Sequence, residues 1–142
     1  MTLKRREFIK NSCALCAGVL GISAILPALE GCAPLNYLDV PVVNGSIKVA
    51  KSAFNQTTNL VILKNEQFDY TIAVVKKENI RAFELKCTHQ PNPLIATNTG
   101  FYCNLHGSSF NLDGKVTNPP ASANLNEFKI LEEEDQYIVL LK

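Results

Sequence analysis

From residue 45 onward, Val, Ile, Leu, Phe and Tyr recur in short runs at strand-like spacing, and clusters of polar residues break the runs apart. Runs at 46–54, 59–63, 70–75 and 80–86 predict strands, because branched and aromatic side chains suit a pleated, half-buried surface. Lys64-Asn65-Glu66 and Lys76-Lys77-Glu78-Asn79 read as the turns between them. Near the end of the chain, 128–131 and 136–141 flank the acidic run 132–135, which predicts a closing hairpin with a solvated turn. No ten-residue window carries a helical period and no repeat is visible, so the expected fold is all-β: one domain, an antiparallel sandwich or small barrel.

The first 32 residues follow a different pattern. A basic start, Met1 to Lys10, precedes nineteen residues without a charge, from Asn11 to Leu29. This is the pattern of an export signal or anchor helix and lies outside the fold. Arg5-Arg6-Glu7-Phe8-Ile9-Lys10 resembles the twin-arginine export signal, with Ile9 in place of Leu and Lys4 in place of the usual Ser or Thr. Nineteen helical residues would span ~28 Å, close to a bilayer's hydrocarbon thickness. Leu29-Glu30-Gly31-Cys32 resembles a bacterial lipobox in which Cys32 is lipidated, although Glu30 stands where a small uncharged residue is usual. Cleavage, lipidation at Cys32 and retention as an anchor are all compatible with the segment. The expected organisation is therefore 1–32 signal or anchor, 33–44 linker and 45–142 a single domain.

Length and charge narrow the range of functions. With 142 residues, 46% of them hydrophobic, the chain suits one domain with one core. The net charge is +1, but four of the fourteen cations fall in the first ten residues. From Cys32 onward ten cations face eleven acids, which excludes a broad basic surface for nucleic acid. Five cysteines, three of them before residue 33, do not make a disulfide scaffold. Cys13 and Cys16 have C-x-x-C spacing, but they lie inside the apolar signal core, without the strand and helix context that activates a thiol.

The remaining two cysteines lie beside the chain's only two histidines: Cys87-Thr88-His89, thirteen residues, then Cys103-Asn104-Leu105-His106. A satisfied core histidine or a solvated one gives no reason for every His to neighbour every remaining Cys in two similar short loops. The pattern predicts a metal site. Zinc fingers separate the Cys pair from the His pair, whereas here each loop supplies one of each.

The strings C-x-H and C-x-x-H-G-S, separated by a hairpin, resemble the Rieske iron–sulfur family. Asp113-Gly114-Lys115-Val116 and Asn118-Pro119-Pro120-Ala121 are similar to the strand and proline loop that follow the second ligand pair in that family. The resemblance implies one 2Fe-2S cluster, with Cys87 and Cys103 on one iron and His89 and His106 on the other, held by two loops at the tip of a β domain. Neutral imidazoles make their iron easier to reduce, so the electron goes to the His-bound iron. Gly107 is expected to let the backbone turn close to the cluster. The thirteen-residue gap is short for the family, which a trimmed hairpin at Thr97-Asn98-Thr99-Gly100 explains.

High-potential relatives in quinol-oxidising complexes carry an extra Cys in each loop, joined as a disulfide. The corresponding positions here are about Asn92 and Leu105, leaving the loops without a brace. Those relatives also place a Ser and a Tyr hydroxyl near the sulfurs. Ser108 matches the Ser, Phe110 stands at the Tyr position without a hydroxyl, and Pro119 belongs to the covering loop, so an intermediate potential is expected.

The resemblance implies an exported one-electron carrier with no substrate pocket of its own. It would pass electrons between redox proteins such as a cytochrome or an oxidoreductase subunit, with the membrane reached through the N-terminus. Export of a folded protein suits a cluster assembled in the cytoplasm. A Rieske ferredoxin serving an oxygenase and a zinc-binding structural module are the alternatives.

Overall fold

The computed structural model describes residues 34–54 and 59–141. The twin-arginine-like segment, the Cys13 and Cys16 pair and Cys32 lie outside the described residues. Among the described residues the fold is all-β, with eleven strands in two sheets and no helix long and apolar enough to cross a membrane.

The larger sheet contains seven strands: β1 (Asn36–Asp39), β2 (Ser46–Ala50), β3 (Leu60–Lys64), β4 (Ile72–Lys76), β5 (Ile80–Glu84), β10 (Glu127–Glu132) and β11 (Gln136–Leu140), in the order β1-β3-β4-β5-β10-β11-β2. All pairs are antiparallel except β1 with β3. β3 and β4 begin with unbroken apolar runs, Leu60-Val61-Ile62-Leu63 and Ile72-Ala73-Val74-Val75, all buried. Successive side chains of a strand point to opposite faces, so such a run is stable only where both faces are covered. One face, carrying Leu60, Ile62, Ala73, Val75 and Phe83, packs toward the second sheet. The other, carrying Val61, Leu63, Ile72, Val74 and Ala82, packs against Ile47, Val49, Tyr137 and Val139 of the curled-over strands β2 and β11.

The second sheet is a four-stranded antiparallel meander: β6 (Ile95–Thr97), β7 (Gly100–Tyr102), β8 (Ser109–Asn111) and β9 (Val116–Asn118). The hairpin at 97–100 is a tight one, with Asn98 and Thr99 between the strands and the Thr97 hydroxyl accepting from the Gly100 N–H at 3.1 Å. After β8, Asn111 Oδ1 accepts the N–H groups of Asp113 and Lys115. Gly114 completes this turn at φ +71°, and a β-carbon there would lie 2.6 Å from the Phe83 ring. Any larger residue would therefore both strain the turn and collide with the core. Arg81 of β5 fastens the turn to the larger sheet: it forks onto Glu127 at 2.8 and 2.6 Å and donates to the Asp113 carbonyl at 3.0 Å.

Three details depart from the sequence expectations. The stretch 33–44, read as linker, contributes β1, which pairs in parallel with Val61 to Lys64 of β3. The run 46–54 is a strand only to Ala50. Lys51–Ala53 form a 3-10 turn that brings Phe54 into the core, edge-on to Tyr137 at 5.9 Å. The run 80–86 ends as a strand at Glu84, beyond which Lys86 bridges Pro93 and opens the first of the loops described below.

Candidate metal centre

Two loops at one end of the small sheet carry the Cys and His residues. The first, 86–93, leaves β5 and returns to β6. It is closed by the Leu94 N–H on the Leu85 carbonyl at 3.0 Å and the Cys87 N–H on the Asn92 carbonyl at 2.9 Å. The second, 103–108, joins β7 to β8 and is closed by the Cys103 N–H on the Ser108 carbonyl at 2.8 Å and the Gly107 N–H on the Cys103 carbonyl at 3.0 Å. Gly107 sits at φ +83°, and a β-carbon built there meets no protein atom within 4 Å. Among the protein atoms, glycine is demanded here by backbone conformation and not by crowding.

The four residues converge, and they do so in two pairs. Cys87 and Cys103 are 3% and 1% exposed and are neighbouring free thiols in the core between the sheets. His89 and His106 are exposed, with ring centroids 5.0 Å apart and planes at 78°. Burial pushes the Cys87 thiol up, but the backbone N–H groups of Gln90 and His89, with the Cys103 and Ser108 side chains, outweigh it and hold the thiol below its ordinary value. These neighbours favour negative charge on the Cys87 sulfur.

The residues around the loops bind them together. Ser108 is fully buried; its oxygen accepts the Ala121 N–H at 3.0 Å, leaving its proton free for Cys87. Asn118 donates to the Gly107 carbonyl at 2.9 Å and Thr88 to the Ala123 carbonyl at 2.6 Å, so the proline loop 118–124 is fastened to both ligand loops. Pro119 is exposed on that loop. Phe110 is 2% exposed in the same core as both cysteines, opposite Phe101 on β7.

One expectation is corrected here. The loops do have a brace, a polar one: the Asn92 side-chain amide donates to Asn104 Oδ1 at 3.2 Å and to Cys103 Sγ at 3.6 Å. Asn92 was legible only as a place where no cysteine stands. The roles of Thr88, Asn104 and Asn118 depend on which loops meet in space, and nothing in their local sequence marks them.

A second feature is visible in the sequence once the fold gives it meaning. Residues 87–112 and 116–126 contain no Lys, Arg, Asp or Glu. The loop tip is therefore uncharged, with Leu105 half exposed beside His106. A cleft of about 460 Å³ lies elsewhere, lined by Asp39–Val42 and Lys64–Gln67, and contains neither His nor Cys.

The donor set was compared with two chemistries. A structural zinc ion needs about four ligands around one centre. Among the described residues no three His, Cys, Asp or Glu side chains converge on one ion. A Rieske-type two-iron cluster takes two thiolates at one iron and two imidazoles at the other, and the buried Cys pair and the exposed His pair would fit such a group.

A family model described as the Rieske [2Fe-2S] domain matches residues 46–129. No curated protein matches the chain. Among solved structures, the fold is similar to a chain of the complex of reduced oxygenase and oxidized ferredoxin in carbazole 1,9a-dioxygenase, with 20% identity over 69% of this chain and 94% of that one and a TM-score of 0.51. It is also similar to the cyanobacterial plasma membrane Rieske protein PetC3 from Synechocystis PCC 6803, with 22% identity over 67% of this chain and 85% of that one and a TM-score of 0.45.

Proposed function

The chain belongs to the Rieske [2Fe-2S] family, and from that premise we propose that it is an exported one-electron carrier in which Cys87 and Cys103 hold one iron of the cluster and His89 and His106 the other. The observation that carries the ligand assignment is the convergence of two buried free thiols and, outside them, two exposed imidazoles 5.0 Å apart. When bound, the cluster supplies a one-electron couple whose potential the surrounding protein sets.

Each part of the chain has a task in this reading. The core between the sheets keeps water from Cys87 and Cys103, and Ser108 and the N–H groups of the first loop hold charge at Cys87. The edges of His89 and His106 are the exposed route for electrons, and the partner is a redox protein such as a cytochrome or an oxidoreductase subunit that docks at the uncharged tip. His89 and His106 are the only histidines, so none remains for a hydrolytic triad. Export rests on Arg5-Arg6 with Phe8 and Lys10. Association with the membrane rests on the apolar stretch from Asn11 to Leu29 or on lipidation of Cys32.

Ligand variants test the site: His89→Ala and Cys103→Ser should each lose the reddish-brown colour and the visible spectrum of the wild type, and a native spectrum in either one contradicts the assignment. Replacement of Arg5 and Arg6 by Lys should hold the protein in the cytoplasm, since only the twin-arginine route distinguishes Arg from Lys; undiminished delivery refutes that route. In the same fractionation Cys32→Ala should release the protein from the membrane if a lipid is the anchor, and leave it there if the apolar helix is. The absence of a second cysteine in each loop favours one other reading, a Rieske ferredoxin serving an oxygenase, which fractionation to the cytoplasm would support.

A further inference from the structure

We propose that Asn92 is a positioning residue for the cluster, tying the two ligand loops together through its side-chain amide and raising the reduction potential by donating to the Cys103 sulfur. This rests on the ligand assignment above.

Asn92 is the one residue of the first loop whose own hydrogen bonds reach both cysteines: its carbonyl accepts the Cys87 N–H at 2.9 Å and its Nδ2 lies 3.6 Å from Cys103 Sγ. The same nitrogen donates to Asn104 Oδ1 at 3.2 Å and to the Pro93 carbonyl at 3.0 Å. Sulfur and carbonyl oxygen are both acceptors, so the amide must turn its nitrogen to this side. Two protons serve three acceptors, and the sulfur and Asn104 share between them what Pro93 leaves. Each ligand sulfur then has a polar side chain beside it, Ser108 at Cys87 and Asn92, as a donor at 3.6 Å, at Cys103. A donor to a ligand sulfur stabilises the more negative, reduced state, so it raises the potential. The bond to Asn104 meanwhile joins loop 86–93 to loop 103–108.

The two effects are separable. In cluster-loaded full-length protein, Asn92→Ala should lower the midpoint potential. Asn92→Asp, of nearly the same shape, should lower it further, because it replaces the donor by a negative charge. Asn104→Ala removes the brace and keeps the sulfur donor, so its potential should equal or slightly exceed that of the wild type. Asn92→Ala and Asn104→Ala should both lose iron to a chelator roughly two- to tenfold faster than the wild type, the scale of one lost hydrogen bond. Equal potentials in wild type, Asn92→Ala and Asn92→Asp overturn the proposal. If neither Asn92 variant takes up a cluster, unchanged circular dichroism and unfolding temperature of the cluster-free chains support ligand placement by Asn92, and a lowered unfolding temperature overturns it in favour of a plain folding role. A wild type without a Rieske spectrum would instead remove the ligand assignment itself.

Discussion

Ser108→Ala tests how the buried shell around the sulfurs works. The Ser108 side chain is fully buried; its oxygen accepts the Ala121 N–H at 3.0 Å, and its hydroxyl proton is left free to turn toward Cys87, whose thiolate the side chain favours. Removal of the oxygen therefore has two consequences of different kind. Ala121, itself 4% exposed, is left with an unpaired N–H, which costs about 1–3 kcal/mol of stability. For a domain of this size that lowers the unfolding temperature by about 4 °C or more per kcal/mol. The Cys87 sulfur also loses a donor. A hydrogen bond to a charged group is worth about 1.5–3 kcal/mol, equivalent to about 65–130 mV for one electron if it existed only in the reduced state. Such a bond would exist in both states and be stronger in the reduced one, so a fall of some tens of millivolts, below about 65 mV, is expected. The assay is a pair of redox titrations at one pH near neutrality, on cluster-loaded wild type and Ser108→Ala, with Ser108→Thr as the variant that keeps a hydroxyl. A potential that is unchanged or raised in Ser108→Ala would show that the hydroxyl does not serve the sulfur, and the stability loss alone would then reflect Ala121.

Phe110→Tyr should raise the potential by adding a hydroxyl within the core that contains both cysteines; a titration showing no rise, with lower stability, would mean that the ring points away from the sulfurs. The Arg81 hydrogen bond holds the Glu127 carboxyl below its usual value, so this pair stabilises the fold above the ordinary carboxylate range and ceases to do so as pH falls through the lowered value. Both side chains are about a third or more exposed, so loss of the ion pair in Arg81→Gln should cost at most about 1 kcal/mol at neutral pH, beside the lost bond to the Asp113 carbonyl, and flatten the acid limb of stability. Urea unfolding across the acid range checks it, and an unaltered acid limb refutes it. Electron self-exchange between oxidised and reduced copies, if it runs through the uncharged tip, should change less than about twofold between low and physiological salt, and a steep salt dependence would place the exchange surface among the charged strands instead.

How much of this was legible beforehand differs between the sheets and the site. The strands of the larger sheet were readable because their apolar runs are long and sharply bounded. β1 was not, because an edge strand that is only half-buried on one face and exposed on the other can carry Asn36 and Asp39 and so resembles a loop. The strands of the small sheet are three residues each, too short to show a period, and their existence follows from the ligand loops they support. The Cys and His residues stood out because they are rare in this chain. Ser108 came from the motif, and it is fully buried where the second ligand loop meets the proline loop. Asn92, Asn104, Asn118 and Thr88 are common polar residues whose importance is purely spatial, and each acquires it by reaching across to another loop.

The central claim is that one cluster is held by two sulfurs on one side and two imidazoles on the other. Pulsed electron paramagnetic resonance of the purified, chemically reduced protein tests it directly, because imidazole nitrogens bound to one iron of a reduced 2Fe-2S cluster would couple to the cluster's net spin. The account predicts a 2Fe-2S signal with magnetic coupling to two imidazole nitrogens, one of which disappears in a cluster-bearing His106→Cys variant. A 2Fe-2S signal without nitrogen coupling, or a colourless protein containing zinc and no signal, would contradict it.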